Sequence, residues 1–343
     1  MSDQSGPVTG ELPVTRWHHV PDLPIRMAPF TSRPVRMGDV ARHVVRTWQP
    51  FKLRGLIFLA AVFTWAWSTP SLDEARIWSL DWVGAIWLRN VAVLLVTAGL
   101  PHLWLYRWRC QGDDLRYDAR PLGRGKRLFL FRDQVKDNIL LTMVPAPVIA
   151  AGWESLWWWA AANGHAPHLG FADHLWWSIL LVFLIPVWSV GYFSVGHWLL
   201  HRGPLYRYVH SWHHRNVNVG PWSGLSMHPV EHVVLYGDVL LFLALPAHPV
   251  FLLYVIMQHH VGAPLGHTGY HGIRLTERFG GRLTLPLGDF FHQLHHRFIE
   301  CNYGGEESPL DGWLDSFHDG TPEGGKHIAE RRQRLNAMRR STD

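Results

Sequence analysis

Fifteen of the chain's 24 histidines lie between His197 and His296, and most stand in tight sets. His197 and His201 have HxxxH spacing, His210, His213 and His214 read HxxHH, and His292, His295 and His296 repeat that pattern further on. Between them lie His228 and His232, in a His-Pro-Val-Glu-His run, and the pair His267 and His271. Positions i, i+3 and i+4 share one face of a helix, so each set can aim two or three imidazoles at one point. Imidazole nitrogen suits iron, copper, nickel and zinc. A tetrahedral ion takes only four ligands. Two HxxHH sets plus HxxxH pairs offer more, and the natural reading is two metal ions.

The sets do not weigh equally. His197, His201, His210, His213, His214, His292, His295 and His296 form the core of the candidate ligand set; His228, His232, His267 and His271 are weaker members. Glu231 is the only carboxylate inside a histidine set and the candidate catalytic side chain, as a partner that accepts the second ring N–H of a ligating imidazole. Asp289, three residues before His292, suits either that task or a helix N-cap. Solitary histidines (His18, His19, His43, His102, His165, His168, His248) are expected to pack or cap, and His259 and His260 stay open. No HExxH appears, as a zinc protease would need, and no Glu-x-x-His pairs, as a carboxylate di-iron bundle would need. Nor does the histidine spacing suggest a nucleophile triad.

These side chains must be positioned by apolar helices. The spacing of apolar runs predicts spans over Gly55–Ser68, Asn90–Trp108, Ile139–Trp159 and Leu175–Leu199, the last delivering His197 and His201 at its inner end. Arg89 and His102 interrupt the first two. A helix over 37–48 would lie in the interface. Lys52 and Arg54 flank the first span, and a loop rich in arginine (Arg107, Arg109, Arg116, Arg120, Arg124, Lys126, Arg127, Arg132) follows the second. By the positive-inside rule both face the cytoplasm. The segment His232–His260 is apolar but has histidine sets on both sides, so the chain must return to the side it left. Pro246 and Pro249 break it into arms of about 13 residues, roughly 20 Å of helix, short of the roughly 30 Å hydrocarbon core. A re-entrant hairpin is expected, with N-terminus, C-terminus and metal site all cytoplasmic.

The expected fold is therefore all-α: a polytopic membrane helical bundle of about four spans plus a re-entrant hairpin, under a cytoplasmic histidine-rich metal-binding cap. The expected divisions are a cytosolic arm (1–54), a first membrane hairpin with its basic loop (55–134), a catalytic domain (135–320) and a polar tail (321–343). Composition agrees. A mean hydropathy of -0.03 averages long apolar runs with Arg-, Asp- and His-rich stretches. The 20 tryptophans, many flanking apolar runs, suit the headgroup level. Two cysteines are too few for a disulfide framework or a thiolate-ligated iron–sulfur cluster. No short apolar leader stands in the polar, Pro-rich first fifty residues, so no cleaved signal peptide is expected. The net charge of +5 follows membrane topology, and no nucleic acid partner is expected.

HxxxH at His197, HxxHH at His210, His-Pro-x-Glu at His228, His-Thr-Gly-Tyr at His267 and HxxHH at His292 stand in this order. So do Asn302-Tyr303-Gly304 and Pro309-Leu310-Asp311. In these motifs residues 135–320 resemble the fatty acid hydroxylase/sterol desaturase superfamily; residues 1–130 carry no part of the likeness. His271 departs from many relatives, which have no histidine there. The resemblance implies a membrane-embedded oxygenase with two non-haem iron ions, O₂ as co-substrate and an external electron donor, soluble or membrane-bound. Its substrate would be a membrane lipid, an acyl chain or an aminolipid headgroup such as ornithine lipid. Hydroxylation is expected, with sterol, carotenoid or acyl desaturation as the alternative, in a bacterial inner membrane. A non-catalytic metal-handling membrane protein is the contrasting class, but its ligands would sit within the spans rather than at their ends.

Overall fold

The computed structural model describes residues 17–31, 34–47, 53–274, 284–285 and 287–342. Helix α1 (Met37–Thr47) matches the helix expected there; Trp48 and Lys52 lie outside the described residues. Helix α2 (Leu53–Ser68) is apolar but only 16 residues long. Among the described residues three helices are long and apolar enough to cross a membrane: α3 (Leu80–Arg107), α4 (Gln134–Ala162) and α5 (Leu175–Leu200). Helix α3 begins ten residues before the expected Asn90. Ser79 caps its start, and Arg89, which masked the pattern, is tied to Glu154 of α4 by Nη1 at 3.0 Å and by a second, shorter contact through Nη2. Around Pro101 the helix widens into π-helical turns at Leu95–Gly99 and Leu103–Arg107, which accommodate the missing N–H.

The apolar segment near residue 245 does break. Helix α6 (Pro229–Tyr236) and a 3₁₀ stretch form one arm, and α7 (Pro249–Met257) starts the other. Both helices start by one device. His228 Nδ1 accepts from Val230 N at 3.1 Å, and His248 Nδ1 accepts from Val250 N at 3.2 Å, with proline at the first helical position, where its lost N–H is harmless. Nine residues give α7 a length near 13 Å, too short to cross a bilayer core. Every residue from Val250 to Met257 is buried, against α2 and α5. The turn between the arms is pinned by Trp177 Nε1, which donates to Pro246 O at 2.7 Å.

Outside this core α3 and α5 present apolar side chains outward, among them Leu88, Leu95, Val96, Trp176, Val187 and Leu199. That surface suits lipid rather than water. Not all tryptophans sit there: Trp157 and Trp158 are buried, and Trp157 Nε1 donates to Phe242 O at 3.0 Å. The polar cap follows α5 and includes helix α8 (Phe290–Phe298), a short antiparallel pair β1 (Ile273–Arg274) and β2 (Thr284–Leu285), and helix α9 (Pro322–Thr342) within the expected polar tail.

Candidate metal centre

Nine histidines converge in two adjoining groups. One holds His197, His201, His210, His214 and His295; the other holds His213, His267, His292 and His296. His197 and His201 stand at the last turn of α5, His210 to His214 on a 3₁₀ turn rather than an α-helix, and His292 to His296 on α8. The two HxxHH sets are used reciprocally. His210 and His214 serve the first group while His213 serves the second; His292 and His296 serve the second while His295 serves the first.

The contacts within each group are between Nε2 atoms. His210 Nε2 lies 3.0 Å from that of His197, 3.1 Å from that of His201 and 3.0 Å from that of His214. His295 Nε2 is 3.2 Å from His201 and 3.0 Å from His214. In the second group His296 Nε2 is 3.1 Å from both His267 and His292. One imidazole nitrogen carries either a proton or a lone pair, so it cannot hydrogen-bond three others at once. Nitrogens about 2.1 Å from one ion, at right angles, would stand about 3.0 Å apart. The donor sets fit metal ions.

The opposite ring nitrogens explain the orientation. Nδ1–H of His197 donates to Tyr303 O at 2.6 Å, of His295 to Cys301 O at 2.6 Å, and of His267 to Ala263 O at 2.8 Å. His210 Nδ1 pairs with Glu231 Oε1 at 2.7 Å. Such contacts select the tautomer whose Nε2 lone pair faces the centre. Burial, aided by repulsion between neighbouring rings, holds His201, His210, His213, His214, His292, His295 and His296 well below the ordinary histidine value. Burial pushes His267 down to about 4. The rings are therefore neutral near pH 7, as ligands must be.

Three of the twelve predicted ligands are not brought in. His228 spends Nδ1 as the cap of α6 and packs its ring on Trp212. His232, one turn on, is buried with Nε2 3.3 Å from Leu141 O. His271 stands outside, 3.3 Å from the Tyr117 hydroxyl and beside His19. Asp289 proves to be the N-cap of α8, accepting from His292 N at 3.1 Å. Its approach needs Gly288, whose φ is +80° and where a Cβ would lie 1.8 Å from Tyr270 O. Neither His259 nor His260 joins a group; His259 Nε2 meets Asp238 Oδ2 at 2.8 Å.

Sequence reasoning gave no role to Asp311, yet it positions two rings. Its carboxylate accepts from Tyr303 N and Gly304 N, each at 2.8 Å, fixing the loop whose carbonyls hold His197 and His295. Asn302, at a φ of +52°, locks that loop to Phe291 O and His318. A cavity of about 230 Å³ opens beside both groups, touching His197 and His210 of one and His213, His267 and His292 of the other. Val190, Phe193 and Leu235 give it an apolar wall, and Gln258 and His259 a polar one.

Membrane-length apolar helices and a histidine core that could hold metal describe a helical membrane protein. Residues 179–316 match the fatty acid hydroxylase family. The chain is similar to a delta(7)-sterol 5(6)-desaturase of Gibberella zeae, 28% identical over 204 residues, covering 56% of this chain and 58% of that protein. It is also similar to fatty acid hydroxylase domain-containing protein 2 of Macaca fascicularis, 26% identical over 258 residues, covering 71% and 68%. A delta(7)-sterol-C5(6)-desaturase of Nicotiana tabacum is 25% identical over 129 residues, covering 36% and 44%. The chain thus spans little more than half of the first relative. No solved structure matches it. The match over residues 179–316, with sterol desaturases among the relatives, supports a place in the fatty acid hydroxylase/sterol desaturase superfamily.

Proposed function

We propose that this protein is an O₂-dependent membrane-lipid hydroxylase whose two histidine groups each hold one iron ion. The observation that carries it is the convergence of Nε2 atoms into two adjoining sets beside one cavity. Two bound irons supply the redox chemistry by which O₂ is reduced with two external electrons and two protons, giving an alcohol and water from a C–H bond. The chain's own residues do the rest. Backbone carbonyls of Tyr303, Cys301 and Ala263 hold the rings in register, and Glu231 holds His210. Val190, Phe193 and Leu235 offer an apolar wall to an alkyl segment and exclude water.

Electrons come from a separate carrier protein, because two cysteines provide no thiolate set for a cluster. The basic loop after α3 is joined to the histidine cap: Tyr117 N donates to Gly269 O at 3.0 Å. Under the positive-inside rule that contact supports a cytoplasmic metal site, reachable by such a carrier. Acyl chains and aminolipid headgroups are the substrate classes we favour. A desaturase reading is supported by two of the relatives, both named as sterol desaturases. Mass analysis of lipids from cells with and without the protein tests both readings. A gain of one oxygen supports hydroxylation and a loss of two hydrogens supports desaturation. Iron-loaded protein, given reductant, O₂ and those lipids, yielding neither product would overturn the oxidase reading.

A further inference from the structure

A second cavity, of about 530 Å³, touches none of the nine clustered histidines and lies between the end of α3 and the start of α4, with His102 in its wall. Five cationic side chains line it: Arg107, Arg109, Arg116, Arg124 and Lys136. Two carboxylates share the wall, but both are already engaged. Asp113 accepts from Arg109 Nη2 at 3.1 Å and from Arg116 Nη1 at 2.8 Å. Asp133 caps α4, accepting from Val135 N at 3.0 Å and Lys136 N at 3.1 Å. Arg107, Arg124 and Lys136 are exposed and have no anionic partner among the described residues. Arg116 is 8% exposed, and its Nε is buried with no acceptor among the described residues. The cavity thus carries uncompensated positive charge around a deeply set guanidinium.

Its place in the fold points to the kind of anion. Arg107 ends one candidate span and Lys136 lies in the first turn of the next, so the cavity sits at membrane-interface depth. The connecting loop also exposes Trp108, Leu128, Leu130 and Phe131. Cations mixed with exposed apolar side chains suit the headgroup region, where phosphate oxygens meet hydrocarbon. We infer that this cavity is a binding site for a phosphate-bearing anion, with Arg107, Arg124 and Lys136 as its unpaired cations and an anionic phospholipid headgroup as the favoured source. The site is distinct from the metal centre and does not depend on the reaction catalysed there.

Native mass spectrometry of the full chain in detergent, titrated with phosphatidylglycerol, phosphatidylcholine or inorganic phosphate, tests the inference. Phosphatidylglycerol should bind at least tenfold more tightly than phosphatidylcholine. The exposed double variant Arg124→Gln/Lys136→Gln should weaken it about 30-fold, and Arg107→Gln about fivefold, as expected for cations near an anionic headgroup. Metal content, measured on the same samples, should be unchanged and reports intact folding. Inorganic phosphate binding as tightly as the lipid, with the same sensitivity to the variants, also supports the site and identifies free phosphate as its source. Equal retention of phosphatidylglycerol by the unaltered chain and the double variant would overturn it, as would the absence of any preference over phosphatidylcholine without phosphate binding.

Discussion

His213 and His214 are adjacent in sequence but face different groups, so replacing each by alanine should have unequal effects. His213→Ala takes one donor of four; His214→Ala takes one of five. A four-ligand structural zinc site is worth about 10–16 kcal/mol at pH 7, hence about 2.5–4 kcal/mol per ligand, an upper bound for the more weakly held ferrous ion. That corresponds to roughly 60- to 700-fold in affinity. With three nitrogens left, the second group should lose its ion to a competing chelator. The first group keeps four and should retain its ion against the same chelator, though more weakly.

The assay is iron per chain after dialysis against graded chelator, with size exclusion to confirm that each variant stays folded. The unaltered chain and His271→Ala, whose ring lies outside both groups, should keep two irons. His213→Ala should keep one, and His214→Ala two until the chelator is strengthened. Parallel loss in His213→Ala and His214→Ala would refute the division into unequal groups. Loss of iron from His271→Ala with the fold intact would refute the placement of that residue.

Two further outcomes follow from buried polar groups. Arg89→Ala leaves Glu154, fully buried in α4, without its guanidinium; the expected loss is about 3–5 kcal/mol, read by denaturant titration in micelles. Changing both residues to leucine should recover most of it. His318 is held by burial at about 4, against 6.5 for a free imidazole. Its folded pKa is depressed, so the unfolded chain binds the proton more readily and stability falls as pH drops from 6.5 toward 4. Each pH unit inside that window removes at most about 1.4 kcal/mol, and His318→Gln should flatten the stability–pH curve by that slope, measured between pH 7 and 5.

What could be seen in the sequence was what obeys short-range periodicity. The two HxxHH sets and the HxxxH pair at His197 and His201 work through i and i+4 positions, and those eight histidines all reach a group. The apolar run over Leu175–Leu200 carries no charge, so its bounds were legible to within a residue. What failed depends on distant or ambiguous partners. Arg89 looked like an interruption because the carboxylate that neutralises it comes from α4. His228 looked like a ligand because a histidine that caps a helix before proline is indistinguishable, in sequence, from one that binds metal; His248 does the same work without any neighbouring set. Asp311 acts through two backbone amides to place the carbonyls behind His197 and His295, a relation no spacing rule encodes.

The reciprocal use of the two HxxHH sets has a consequence for folding. The 3₁₀ turn at His210–Arg215 and helix α8 each contribute to both groups, so neither group is complete until both segments have docked. Without a metal, nine imidazoles, eight of them buried, point their lone pairs at one another, an arrangement that water would otherwise relieve. Metal binding would therefore be thermodynamically linked to closure of the cap. The ion-free protein should keep its buried α7 core while the cap opens. The signature is hydrogen exchange that accelerates in residues 197–215 and 290–304 on metal removal and stays slow over Val250–Met257. Uniform acceleration of both regions would show instead that the membrane core and the histidine cap fold as a single unit.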